Sequence, residues 1–140
     1  YKADLVCMLV KSSDGSTMGI GHLGTASGNA GAAFSVCKVM AVGSPIRSFA
    51  HEIGHNLGCG HAQDQGGSGG AFSYSYGWRF KGTDGKNYRT LLSYQKESTE
   101  PRIPYYSAPS VQYQGTATGT ATADNAKTIS AVLVKAIDYK

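Results

Sequence analysis

Apolar and polar positions first follow the short rhythm of strands and only later a helical period. Asp4 to Val10 (DLVCMLV) is a brief apolar run of the kind a buried sheet strand shows. Met18 to Leu23 is a second, glycine-rich strand, and Ala33 to Val39 alternates well enough for a third. Ser13-Asp14-Gly15-Ser16 reads as the turn between the first two strands, and Gly24 to Ala32 as a loop of small residues. The rhythm then changes. Ile46, Phe49, Ala50, Ile53 and Leu57 recur at the spacing of one buried helix face. Ser44 is placed to cap that helix, and Pro45 suits its first position, where the missing N–H is not needed. Gly58 closes it, because glycine enters the left-handed conformation at little cost.

The second half of the chain is less regular. Gln63 to Gly70 is a polar, glycine-rich loop, and Tyr74 to Arg89 resolves into a small hairpin turning at Asp84-Gly85. Pro101 and Pro104 break any helix around them. A last helix is predicted from about Ala123 to Ala136, with Ala126, Ile129, Leu133 and Ala136 facing inward. No repeat and no second domain boundary is visible, so residues 1–140 read as one domain. Residues 1–61 form an upper part with the helix of the 40s and 50s, and residues 62–140 a lower part.

Composition narrows the class. Hydrophobic residues make up 41% of the chain and charged residues 16%, the balance of a globular domain and not of a disordered tail. Nineteen glycines favour loops and tight turns over long helices. The net charge is +4, but lysines and arginines are scattered and not interleaved with aromatics, so no nucleic-acid partner is expected. No apolar stretch approaches the ~18 residues of a membrane span. Tyr1-Lys2-Ala3-Asp4 is neither an initiator start nor a signal peptide, which fits a processed product or a fragment. Cys7, Cys37 and Cys59 allow one internal bridge at most and leave one thiol over.

The chemistry concentrates at His51-Glu52-Ile53-Gly54-His55-Asn56-Leu57-Gly58-Cys59-Gly60-His61. His51 and His55, four apart on a helix, lie one above the other on the same face and can reach one ion. After the reversal at Gly58, His61 approaches from another direction. Three neutral imidazoles leave a tetrahedral position open, as a catalytic Zn2+ site requires. Glu52 is rotated by about 100° from His51, too far to join the ligand face but able to reach a water on the metal. That gives Glu52 the role of general base and later of acid toward a leaving amine.

This stretch, and much of the remaining chain, resembles the metzincin zinc metalloproteases, within them the adamalysin-like (reprolysin-like) enzymes, and is most similar to the bacterial peptidyl-Asp metalloendopeptidases. Besides the histidine helix, the resemblance is carried by ADLVCMLV (3–10), GIGHLG (19–24), AFSVC (33–37), YGWRF (76–80), YRTLLSY (88–94), RIPYYSAPSV (102–111) and ADNA (123–126). It implies an α/β (α+β) zincin-like fold with a mixed sheet over the zinc helix and an irregular lower subdomain ending in a helix. It further implies a secreted, zinc-dependent endopeptidase acting on a peptide or protein substrate. By this likeness the Gly19–Leu23 strand is the rim of the cleft and pairs with extended substrate, with His22 as a rim contact and not a ligand. Leu92 stands where the family carries a methionine beneath the zinc. Tyr94 matches a tyrosine that contacts the metal or the oxyanion, and Arg102, then Arg89, are the candidates to meet a substrate aspartate.

The sequence also departs from the pattern. Ala62 replaces the aspartate that usually follows the third histidine, with Asp64 as a candidate substitute. The family's first strand and first long helix have no counterpart here, so the sheet should show an open edge against which upstream sequence or another chain packs. A Cys37–Cys59 bridge is one option by analogy with secreted domains. Two other functional readings stand beside the enzyme. One is a zinc-binding but non-catalytic module or nicked subunit. The other is a structural zinc site, for which Cys59 is the nearby fourth ligand. No clustered acidic loop argues for calcium.

Overall fold

The computed structural model describes residues 3–12, 15–43, 45–67 and 69–137. Ser13, Asp14 and Ser44, to which the turn and cap expectations refer, lie outside them. Three strands, β1 (Val6–Val10), β2 (Gly19–Gly21) and β3 (Phe34–Lys38), form a mixed sheet in the order β1-β3-β2. β1 runs parallel to β3 with Val6 opposite Phe34 and Leu9 opposite Cys37, and β2 runs antiparallel with Ile20 opposite Val36.

This register sorts side chains onto two faces. One carries Ser35 and Cys37, both buried, together with Gly19 and Gly21, and packs on helix α1 (Ser48–Asn56). The other carries Val6, Met8, Ile20 and Phe34, which are 41, 57, 67 and 53% exposed. The expectation of a buried first strand is therefore wrong. β1 is an edge strand with a single neighbour, and its apolar outer face is uncovered among the described residues.

α1 starts later than Pro45. Arg47 sits at φ 56° in the left-handed region, and the carbonyl of Ile46 is taken by Arg102 Nη1 at 2.5 Å, so the helix begins at Ser48. The expected apolar face is buried only in part: Leu57 is buried, and Ile53 and Ala50 pack against apolar clusters. Phe49 is exposed, whereas Ser48, His51, Glu52, Gly54 and Asn56 are buried, because the side that meets the sheet and the lower loops carries the polar residues. The C-terminus behaves as expected. Gly58 adopts φ 80°, its N–H reaches the His55 carbonyl at 2.8 Å, and the Cys59 N–H reaches Gly54 at 2.9 Å. This is the paired closure that a left-handed glycine permits.

Beyond α1 the chain is mostly irregular. It contains two short hairpins, β4 (Arg79–Lys81) with β5 (Asn87–Arg89) and β6 (Gln112–Tyr113) with β7 (Thr116–Ala117), then helix α2 (Asn125–Ala136). Asp124 caps α2 by accepting from the Lys127 N–H at 2.9 Å. The inward stripe is Asn125, Thr128, Val132 and Ala136, with Leu133 exposed, so the face is turned from the expected one. Polar bonds turn it. Asn125 Nδ2 donates to the Gly60 carbonyl at 3.2 Å, and the Thr128 and Ser75 hydroxyls meet at 2.7 Å. Leu57, Val132 and Ala136 then close one apolar cluster that joins the two helices. Truncating Leu57 to alanine there should cost about 2–5 kcal/mol.

Candidate metal centre and substrate cleft

α1 brings His51 and His55 to one face, and the Gly58 reversal returns His61 to them. The three Nε2 atoms lie 3.1, 3.2 and 3.0 Å apart. Ligands at ~2.0–2.1 Å from one tetrahedral zinc stand about 3.3 Å from one another, so the trio fits that ion. The rings are aimed from behind. His51 Nδ1 meets the Leu91 carbonyl at 2.7 Å and His55 Nδ1 the Cys59 carbonyl at 2.8 Å. An N–H donated at Nδ1 leaves the Nε2 lone pair facing the centre, the tautomer a metal needs. Burial lowers the pKa of all three, that of His61 to about 4, so the imidazoles are neutral at physiological pH.

Among the described residues these histidines are the one cluster of three or more potential metal-binding side chains. Cys59 does not join them. It is fully buried beside Leu91 and Leu92, with its thiol toward the Asn125 carbonyl at 3.5 Å. Nor does it approach Cys37, whose sulfur lies 3.6 Å from that of Cys7.

Glu52 is 5% exposed and points to the sheet side, where β2 crosses it. A Cβ on Gly19 would stand 2.6 Å from Glu52 Oε1, and one on Gly21 2.9 Å from the Glu52 carbonyl. The two glycines therefore let the rim strand close onto the carboxylate. Burial pushes the Glu52 pKa up to about 7, against the opposing pull of the Arg102 guanidinium.

A cavity of about 360 Å³ opens beside this carboxylate, lined by Met18, Gly19, His51, Glu52, Tyr94 and Arg102 among others. Burial and the nearby Arg89 lower the Arg102 pKa to about 10, which still leaves it a cation at neutral pH. Its Nε finds no hydrogen-bond partner, and its other bonds go to the carbonyls of Ile46 and Ser93. Arg89 is different. It donates to the carbonyls of Glu100 and Ser93 and lines a neighbouring cavity that does not include Glu52. The structure thus separates two arginines that the sequence could only rank.

The Tyr94 ring is half exposed and lies 5.5 Å from His51 and 4.3 Å from His61, centroid to centroid. Leu92 is fully buried, packed with Leu91 and Cys59, and would meet a Cβ on Gly54 at 2.8 Å, which places it under the histidine helix. His22 is exposed on the rim, outside the histidine cluster.

Several positioning residues escaped the sequence reading. Asn56 Nδ2 lies within 3.0 Å of the carbonyls of His22, Ala32 and Phe34, and so ties the end of α1 to the sheet. Arg79 pairs with Asp64, approaches Glu100 at 3.3 Å and donates to the Tyr94 carbonyl at 2.6 Å. Gln65 Oε1 accepts from the backbone N–H groups of Ala62 and Tyr94. Asp64, the candidate substitute beyond Ala62, therefore acts through Arg79 to join the third-histidine loop to Tyr94. Only the dense carbonyl contacts betray these residues, and no spacing rule marks them.

Comparison with known proteins matches residues 1–107 to the Reprolysin_5 model of metallo-peptidase family M12. The chain belongs to metallo-peptidase family M12. Three relatives, all named peptidyl-Asp metalloendopeptidase, illustrate the match within M12. That of Xanthomonas campestris pv. campestris is 39% identical over 83 residues, 59% of this chain and 19% of its own length. That of Stenotrophomonas maltophilia K279a is 36% identical over 83 residues, 59% of this chain and 20% of the relative. That of Pseudomonas aeruginosa is 30% identical over 126 residues, covering 78% of this chain and 21% of the relative. The chain thus spans about a fifth of the length of these relatives. A solved structure described as a chaperone-substrate complex shares the fold, with a TM-score of 0.66 at 20% identity over 99% of this chain and 21% of that one. M12 enzymes are zinc-dependent, which agrees with the donor set here: three neutral imidazoles and no sulfur.

Proposed function

We propose that this chain is the metal-bearing part of a zinc endopeptidase that favours substrates with an acidic side chain next to the scissile bond. The observation that carries the hydrolase reading is a buried carboxylate, Glu52, beside three convergent imidazoles with a cavity opening onto both. Zinc, when bound, supplies a Lewis acid that lowers the pKa of a water from about 15.7 toward ~7. His51, His55 and His61 hold it, oriented by the Leu91 and Cys59 carbonyls. Glu52 takes the proton of the attacking water and passes it to the leaving amine. Its pKa near 7 suits both directions of that transfer. Tyr94, whose ring lies 4.3 Å from that of His61, is the candidate to donate its hydroxyl to the developing oxyanion. β2 is a sheet edge facing the cleft, and an extended peptide can pair with it as an added strand.

The acidic preference rests on Arg102. Its half-buried guanidinium lines the cavity beside Glu52, keeps one N–H without a partner and makes no ion pair among the described residues, so it offers a cation to an incoming acidic side chain. The names of the three relatives point to the same residue type. Arg89 lies outside the Glu52 cavity; it lines the neighbouring one together with Arg102, and its charge works against that of Arg102. The open outer face of the sheet, with Val6, Met8, Ile20 and Phe34 exposed, is where upstream sequence or another chain packs.

Peptide cleavage with and without a chelator, alongside Glu52→Ala, tests the reading. The parent protein should cleave, lose activity to the chelator and regain it with zinc. Glu52→Ala should keep its zinc and lose about 10²–10⁴-fold in rate. A parent protein that binds zinc and cleaves nothing would instead identify a binding module or a nicked subunit.

A further inference from the structure

The sheet face turned toward α1 carries two cysteines on neighbouring strands. Cys7 on β1 stands opposite Ser35, and Cys37 on β3 stands opposite Leu9, so the two are diagonal neighbours on one face. Their sulfurs lie 3.6 Å apart. Cys37 is fully buried, Cys7 partly exposed, and Cys59 is sequestered elsewhere against Leu91 and Leu92. An odd number of cysteines is thereby divided by the fold into one adjacent pair and one isolated thiol.

We propose that Cys7 and Cys37 are the site of an oxidative cross-link that staples the edge strand β1 to the central strand β3, with Cys59 remaining a buried thiol. The sulfurs need to close by roughly 1.6 Å to reach bonding distance, a shift smaller than one residue of strand register. The reaction needs a disulfide oxidant, such as oxidised glutathione or a dithiol–disulfide oxidoreductase. The Cys7 thiolate, the accessible one, attacks a sulfur of that oxidant and releases one thiolate. The Cys37 thiolate then attacks Cys7 Sγ and displaces the second. Two protein thiols lose two electrons and two protons, and the oxidant disulfide becomes two thiols. Burial, and the neighbouring Cys7, push the Cys37 thiol up to about 12. The second step is accordingly the slow one, and the Cys7 mixed disulfide accumulates before the bridge closes.

The staple has a place in the architecture. β1 is held by β3 alone, and β3 also carries β2, the strand that closes on Glu52. Linking positions 7 and 37 closes a loop that contains β2 and removes conformational freedom from the unfolded chain.

Trypsin separates the three cysteines, since cleavage after Lys2, Lys11, Lys38, Arg47 and Arg79 puts them on peptides 3–11, 12–38 and 48–79. The full chain is incubated with oxidised glutathione, its free thiols are alkylated, and it is digested without reductant for mass spectrometry. Peptides 3–11 and 12–38 should appear joined, and 48–79 should carry an alkylated Cys59. Cys7 and Cys37 capped or alkylated separately after exhaustive oxidation, or a link to 48–79, would overturn the proposal. Oxidation should also raise the thermal midpoint of the parent protein by on the order of 5–10 °C. Cys7→Ser should remove that dependence on redox state. A cross-linked protein whose midpoint does not move would refute the stapling.

Discussion

The metal-binding stretch and the pocket wall meet at one cavity but are built in opposite ways. Residues 51–61 are a single helix and its reversal, so a four-residue spacing and one left-handed glycine bring the three imidazoles together. The wall, from Arg89 to Tyr106, has almost no regular structure. It is pinned by side chains donating to carbonyls: Arg89 to Glu100 and Ser93, Arg102 to Ile46, Tyr106 to Ala50. The first region owes its geometry to local chain stereochemistry, the second to contacts between residues far apart in sequence. Changes in the metal-binding stretch should therefore cost the most in cleavage, whereas changes in the wall should alter substrate choice and rate while leaving zinc bound.

Acid offers the largest test of that division. Burial lowers the pKa of the three histidines, so protons compete with the metal only well below the usual imidazole range of about 6.5. Zinc should stay bound at pH 6 and be released only at lower pH, as protons displace it from the imidazoles. The same depression means that the folded chain binds fewer protons than the unfolded one, so stability is lost over that acid range as well. A metal-release titration with a chromophoric chelator reads this directly, and release centred near 6.5 would mean that burial does not protect the site.

Arg102→Ala comes next. Removing this cation should slow cleavage of aspartate-containing peptides by about 10- to 100-fold, the worth of a charge-assisted hydrogen bond. Neutral peptides should lose little, and equal losses on both would remove Arg102 from specificity. Because Arg102 holds the Glu52 pKa down, its removal should also move the acid limb of kcat/KM upward in pH for every peptide. A downward move would deny that the two groups share the cavity.

The smallest effect is expected at Arg79, which joins Asp64 to the Tyr94 carbonyl. Arg79→Met should loosen Tyr94 and reduce kcat several-fold, on the order of 1 kcal/mol in the barrier, while zinc affinity changes little. A loss of zinc equal to the loss of rate would show that Arg79 supports the His61 loop instead.

The sequence made the first region readable and the second only nameable. His51, His55 and His61 follow from spacing and from the reversal at Gly58, and the mixed sheet was expected from the strand rhythm and the family likeness. Arg102 could be proposed from that likeness but not separated from Arg89, since both line one cavity and Arg102 alone of the two also lines the one beside Glu52. Phe49 and Leu133 misled because apolar periodicity marks one face, while the faces actually buried carry Asn56, Asn125 and Thr128. Those polar residues are inside because each satisfies backbone carbonyls or a hydroxyl of an irregular segment, a pattern without a period. The exposed β1 misled for another reason. An apolar strand reads the same whether or not anything covers its outer face.

X-ray absorption at the zinc edge of the purified protein bears most directly on the convergence of the three imidazoles. We expect one zinc per chain, a first shell of nitrogen and oxygen only at ~2.0–2.1 Å, and outer-shell scattering from three imidazole rings. A sulfur shell near ~2.3 Å, or fewer than three rings, would contradict the site as described.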